Sequence, residues 1–292
     1  MSTATALACG GGERTGRGAD AEPSRATAGP LRTVSVLSDL PTPESATLAP
    51  DGRYYVSVMG EFGTAGDGRI VAVDPSSWSV AVVADGLDDP KGLAFVGETL
   101  YVADRTVLRA VAPNGATRVV VPAEGFPNPP QFLNDVAAGP AGELYVSDSG
   151  TFDSADGFVY RVDPDARVGV VLAAGTSPIA SPNGVWLDAD GRLWVVDLHT
   201  GELLRRAPDG TVRILASGFG GGDGIAPGPD GSLYVSDFRG GRVLRVTFDG
   251  DRATSEVVAQ LPRAADIGVD AARGRLLVPQ LQENTVTVLA LP

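Results

Sequence analysis

Apolar and polar residues alternate along most of the chain after residue 30, in short runs bounded by Gly, Asp and Pro. "LYVSD" stands at Leu144 and again at Leu233, with "LYVAD" at Leu100 and "LWVVD" at Leu193. A period of two with Val, Leu and Tyr predicts half-buried β-strands, and no long stretch carries a helical period. Each of these strands follows a turn, and aligning the turns gives six copies: "DGRYYVSV" from Asp51, "GETLYVAD" from Gly97, "AGELYVSD" from Ala141, "DGRLWVVD" from Asp190, "DGSLYVSD" from Asp230 and "RGRLLVPQ" from Arg273. Their central residues, Tyr55, Tyr101, Tyr145, Trp194, Tyr234 and Leu277, are 40 to 49 residues apart.

A period near 45 residues holding four short strands is the unit of a β-propeller. The fold predicted is therefore all-β, a six-bladed propeller with four-stranded blades. The central aromatics are expected to fill the wedges between blades. The last copy ends after "ENTVTVLALP" and lacks an outermost strand, whereas "LRTVSVLSDLP" from Leu31 has the character of one. Pairing of that N-terminal strand with the last blade would close the ring and remove two exposed sheet edges. The propeller then spans residues 31–292 as one unit.

Residues 1–30 have few bulky apolar side chains and read as a disordered tail. Within them "TALACGGG" is similar to the lipid-attachment box of a bacterial lipoprotein, with Cys9 as acceptor, although a basic n-region and a full apolar stretch are missing. The expectation is an exported or periplasmic lipoprotein tether or signal remnant, with a plain disordered tail as the alternative. No apolar run is long enough to span a bilayer.

The chain has 36 acidic and 23 basic residues, a net charge of −13, which argues against nucleic-acid binding. One cysteine and one histidine exclude an internal disulfide and a zinc centre rich in His or Cys. His199 would be the only base for a Ser-His-Asp triad; in the turn "DLHTGE" it is expected as an exposed loop residue. The recurring Asp104, Asp148, Asp197 and Asp237 are expected to bond blade turns.

One position stands out. Asn183 lies just ahead of a strand, eight residues before Gly191 of its turn. The same count from the other turns gives Glu44, Pro90, Asn134, Asp223 and Asp266. Innermost strands line the channel of a propeller, so equivalent positions form a ring about its axis. Oxygen donors without nitrogen or sulfur suit a hard divalent cation. Calcium fits best; magnesium, manganese and zinc stay open. Lys91, beside the ring on blade two, is expected to be solvated at the rim, with contact to substrate as the alternative.

The chain resembles the senescence-marker/gluconolactonase superfamily, which includes regucalcin and, more distantly, paraoxonase. The resemblance rests on "PESATLAPDG" around Glu44, "FLNDVAAGPAG" around Asn134, "SPNGVWLDADG" around Asn183 and "GGDGIAPGPDG" around Asp223. It implies that Glu44, Asn183 and Asp223 hold a catalytic divalent metal, and that Asn134 contacts substrate or completes the metal shell. It also implies a hydrolase of lactones or esters, with Asp223 as general base and Asn134 helping to orient the carbonyl. Gluconolactone-type members carry an Arg two residues before the third-blade Asn; here that position is Phe132, so a more apolar substrate is expected. The expected partner is a small-molecule lactone or ester, and the chain is expected to be a monomer. The alternative is a non-enzymatic propeller that binds a ligand or serves as a scaffold, with a structural cation.

Overall fold

The alternating runs form strands throughout a computed structural model that describes residues 29–151 and 154–292. These residues hold twenty-four strands, β1 to β24 in chain order, and a single 3-10 turn at Ala123–Gly125. No helix among them is long and apolar enough to cross a membrane. The tail with Cys9 and its lipid-attachment box lies outside the described residues.

The strands pair into six antiparallel four-stranded sheets. Five are consecutive in sequence and begin with the inner strands β2 (Pro43–Leu48), β6 (Pro90–Val96), β10 (Leu133–Ala138), β14 (Pro182–Leu187) and β18 (Gly222–Pro227). The sixth runs from inner β22 (Gly268–Asp270) through β23 (Arg275–Gln280) and β24 (Thr285–Ala290) to β1 (Arg32–Leu37). Thr33 faces Leu289 and Leu37 faces Val286, so the N-terminal strand closes the ring as the sequence predicts. Leu37 is buried in a cluster with Leu277 and Val286 of blade six and Val56 and Val58 of blade one. Closure thus supplies apolar contact as well as backbone bonds.

The aromatics of the second strands sit between blades. Tyr55 packs edge-on to Phe95 at 5.2 Å, and Trp194 clusters with Ile225 and Leu233 of blade five. Tyr54 spans from blade one to blade six, its hydroxyl donating to Asp270 at 2.8 Å.

The recurring Asp residues close the second strands β7 (Thr99–Asp104), β11 (Leu144–Asp148), β15 (Leu193–Asp197) and β19 (Leu233–Asp237). Each accepts backbone N–H bonds from the segment that leads into the inner strand of its own blade. Asp104 accepts from Asp88 and Asp89, Asp148 from Phe132, Asp197 from Ala180 and Ser181, and Asp237 from Gly221. They are structural latches that set where each inner strand starts.

Candidate metal and substrate site

The ladders define which inner-strand residues are equivalent. The first inner residue pairs with the last residue of the second strand: Pro43 with Val58, Pro90 with Asp104, Leu133 with Asp148, Pro182 with Asp197 and Gly222 with Asp237. In blade six the isolated bridge Ala264–Gln280 does the same. In the first five blades the ladder then skips, resuming at Ala46, Leu93, Val136, Val185 and Ile225. Such an irregularity frees a residue from pairing and re-aims its side chain. The residue after the first pair is Glu44, Lys91, Asn134, Asn183, Asp223 and Ala265.

This register revises the count from the turns at two blades, at one of which the place of Asp266 in the ring was open. Blade two contributes Lys91 rather than Pro90, and blade six Ala265 rather than Asp266. The cause is hairpin length: Thr47 faces Tyr55, eight residues on, but Ala94 faces Tyr101 after seven and Gly268 faces Leu277 after nine. Asp266 falls one step further along its strand, level with Asp135. There Asp135 accepts from the N–H groups of Val136 and Val185, and Asp266 accepts from the Ser45 hydroxyl. Both line a separate cavity of about 420 Å³ toward the other ends of the inner strands.

Glu44, Lys91, Asn134, Asn183 and Asp223 meet in a cavity of about 190 Å³. Close approach of the inner strands makes this ring tight: a Cβ on Gly184 would collide with Asp223 backbone, and one on Gly224 with Asp266 and Ile267. Lys91 is a further correction. It is 1% exposed, not solvated at the rim; its Nζ donates to Asp89 O at 3.1 Å and lies 4.0 Å from the Phe132 ring centroid. The Phe132 face takes the place of water around the ammonium.

Four oxygens in this cavity are buried without a hydrogen-bond partner: Glu44 Oε2, Asn134 Oδ1, Asn183 Oδ1 and Asp223 Oδ1. Asn134 shows how one is aimed. Ser149 Oγ gives its hydrogen to Pro182 O at 2.8 Å, so toward Asn134 it can only accept, and it takes Nδ2–H at 3.1 Å. The amide nitrogen is thereby committed and Oδ1 faces the cavity. A buried polar atom without a partner costs about 1–3 kcal/mol, and four together fit a cation or polar ligand that completes them. Among the described residues no group of three or more His, Cys, Asp and Glu side chains gathers as a metal cluster. The donor set is instead two carboxylates and two carboxamides, which suits a hard cation that accepts neutral carbonyl oxygens.

Electrostatics agree. Burial, then the charges of Asp223 and Asp266, push the Glu44 carboxyl well above its ordinary range, against the opposing pull of Lys91. Burial and the charge of Asp135 push Asp223 up to about 8, with Asn183 acting the other way. Lys91 is lowered by burial and pulled back by Glu44 and Asp89. His199 is exposed, as expected.

The walls hold residues that the sequence reading missed, apart from Phe132. Met59, Leu198, Phe238 and Leu281 each directly follow the last residue of a second strand, and Phe62 comes from the loop after β3 (Tyr54–Val58). The signal was available, because the position after "LWVVD" and "LYVSD" recurs in every copy.

Comparison with known proteins follows the same lines. A curated virginiamycin B lyase of Nocardia farcinica is 35% identical over 139 residues; the match covers 43% of this chain and 48% of that protein, so the chain spans about half of that relative's length. Solved structures of a gluconolactonase from Xanthomonas campestris and of a calcium-binding regucalcin from Agrobacterium tumefaciens share the fold, each with a TM-score of 0.71 and 19% identity. The first match covers 90% of this chain and 95% of the other, and the second 91% and 96%. Residues 97–267, more than half of the chain, match the sequence model described as SMP-30/Gluconolactonase/LRE-like region. With blade order and axial oxygens in place, the chain belongs to the SMP-30/gluconolactonase/LRE-like family.

Proposed function

We propose that the chain is a divalent-cation-dependent hydrolase that opens a lactone or cleaves an ester. The observation that carries this reading is the set of four orphaned buried oxygens facing one cavity. Glu44, Asn183 and Asp223 would hold the cation, and Asn134 would complete its shell or turn to the substrate. Calcium suits this all-oxygen set best, and the regucalcin with the same fold is described as calcium-binding. When bound, the cation supplies Lewis acidity, polarising a carbonyl and lowering the pKa of water.

The side chains do the rest. Asn134 and Asn183, whose oxygens face the cavity, would orient the carbonyl indirectly, by fixing the cation toward which it points. Asp223 would accept a proton from the attacking water through a carboxylate oxygen not engaged by the cation and return it to the departing alkoxide, as a general base and then acid. Water adds to the carbonyl carbon, the acyl C–O bond breaks, and a hydroxy acid or an acid–alcohol pair leaves. Lys91 offers a positive charge to the carboxylate formed. Apolar walls exclude bulk water and strengthen these interactions.

The test combines metal analysis of freshly purified protein with a panel of lactones and aryl esters. Activity that needs the cation and disappears in the Asn183→Ala/Asp223→Ala double variant, with the fold retained by circular dichroism, is the expected result. Protein that binds calcium and hydrolyses nothing in the panel would overturn the reading. Chelation that lowers the melting temperature without touching activity would instead mark the cation as structural.

A further inference from the structure

Above the oxygens lies a second ring. The residue after the closing residue of the second strand is Met59 in blade one, Leu198 in blade four, Phe238 in blade five and Leu281 in blade six, and all four line the cavity. Blades two and three have Arg105 and Ser149 there, both engaged elsewhere. Arg105 bonds Gly63 O and stands 3.9 Å from Asp89, while Ser149 serves Asn134 and Pro182. Over those two blades the collar is completed by Phe62 and Phe132, whose rings lie 5.9 Å apart.

Phe62 is 61% exposed, yet its loop is pinned. Gly63 N–H donates to Asp89 at 2.9 Å, Gly66 N–H to Asp88 at 3.1 Å, and Glu61 N–H to Asp67 at 2.8 Å. A large aromatic held at a cavity mouth with most of its surface in water gains from an apolar ligand and loses no loop entropy when it binds one. Among the described residues, Met59, Phe62, Phe132, Leu198, Phe238 and Leu281 bring no side-chain donor to the cavity, Lys91 apart, so a polyhydroxylated ring would leave most of its hydroxyls unpaired against them.

Resting on the hydrolase reading, we infer that the substrate is a lactone or ester bearing an alkyl or aryl substituent, with the carbonyl on the oxygen floor and the substituent inside the apolar collar, capped by Phe62. The expected gain is about fourfold in kcat/KM per added methylene until the collar is filled.

The experiment compares calcium-loaded protein on γ-butyrolactone, its 4-alkyl homologues of rising chain length and glucono-δ-lactone. In parallel, melting shifts are read with γ-lactams bearing the same chains, which report binding without turnover. A rate that climbs with chain length, with a slope flattened in Phe62→Ala, supports the inference; Phe62 is exposed enough for that variant to fold, which its melting curve checks. A rate independent of chain length, or highest on glucono-δ-lactone, overturns it and leaves the hydrolase reading intact. Lactam shifts that grow with chain length while no lactone is opened support the ligand class and overturn the hydrolase reading. Shifts that ignore chain length, with no lactone opened, overturn both.

Discussion

Loading of the proposed cation should expel protons, and the number can be worked from the site. Burial and the charge of Asp135 raise Asp223 to about 8, and Glu44 is raised well above its ordinary value. At pH 7 a carboxyl of pKa about 8 is about nine-tenths protonated, whereas a cation requires the carboxylate, so loading should release about 0.9 proton from Asp223 alone. At pH 9 that release falls to about 0.1, and between pH 6 and 8 apparent affinity should rise about tenfold per pH unit for each proton displaced. Stability follows the same linkage. The unfolded chain gives up the Asp223 proton near pH 4 and the folded one only near 8, so this contribution is complete below pH 4 and is lost as pH rises through 8. The loss amounts to roughly 1.4 kcal/mol per pH unit in that window, or about 3–5 °C of melting temperature. The assay is calorimetric titration at pH 7 in two buffers of different ionisation enthalpy, repeated on Asp223→Asn. Heats that do not depend on buffer in the unaltered protein would mean that Asp223 is already ionised in the cation-free cavity, and the electrostatic reasoning would fall.

Three further outcomes are expected. Ser149→Ala removes the acceptor that commits the Asn134 amide nitrogen and the donor to Pro182 O; calcium affinity should weaken about tenfold by titration, and the unpaired buried groups should cost roughly 1–3 kcal/mol in thermal denaturation. Asp135→Asn at pH 7.5, above the Asp135 pKa of about 6, replaces a carboxylate that accepts from two N–H groups by an amide with one acceptor; thermal denaturation should show a loss of roughly 1–3 kcal/mol. Leu37→Ala opens a cavity between the N-terminal strand and the last blade, costing about 2–5 kcal/mol and lowering the melting temperature by on the order of 10 °C; an unchanged curve would deny the closing strand its role.

Most of the fold was legible because each copy carries its own strand alternation, turn and closing Asp. The closing strand β1 could be read from a deficit, one strand missing at the end and one spare at the start. Site positions on blades one, three, four and five were legible as well, since their hairpins share one length and Thr47–Tyr55, Ala137–Tyr145, Trp186–Trp194 and Ala226–Tyr234 face one another alike. Counting failed at blades two and six because it measured from the turn, while the geometry is set by the ladder. A two-residue turn between Val96 and Thr99 absorbs one residue less, so the count placed Pro90 in the ring and Lys91 only beside it. Burial of Lys91 was not legible at all: a lysine is ordinarily solvated, and only the fold brings Phe132 of blade three and Glu44 of blade one to it.

A ring that leaves four buried oxygens unsatisfied must be held by other means, and the location of its bonds explains which residues are free to serve a ligand. The first residue of each inner strand is committed to the ladder, and in four blades a carboxylate at the end of the second strand secures the segment leading into it. The residue that follows leaves the ladder in five blades, so its side chain contributes little to holding the strand. At that one position the blades diverge into Glu, Lys, Asn, Asn, Asp and Ala, while the anchoring carboxylate recurs as Asp104, Asp148, Asp197 and Asp237. Divergence confined to a position released from pairing, beside a repeated anchor, is what separate demands on binding and on stability would produce. The orphaned oxygens then cost stability at positions that the ladder leaves free, and the proposed cation, by completing their bonding, would return that stability.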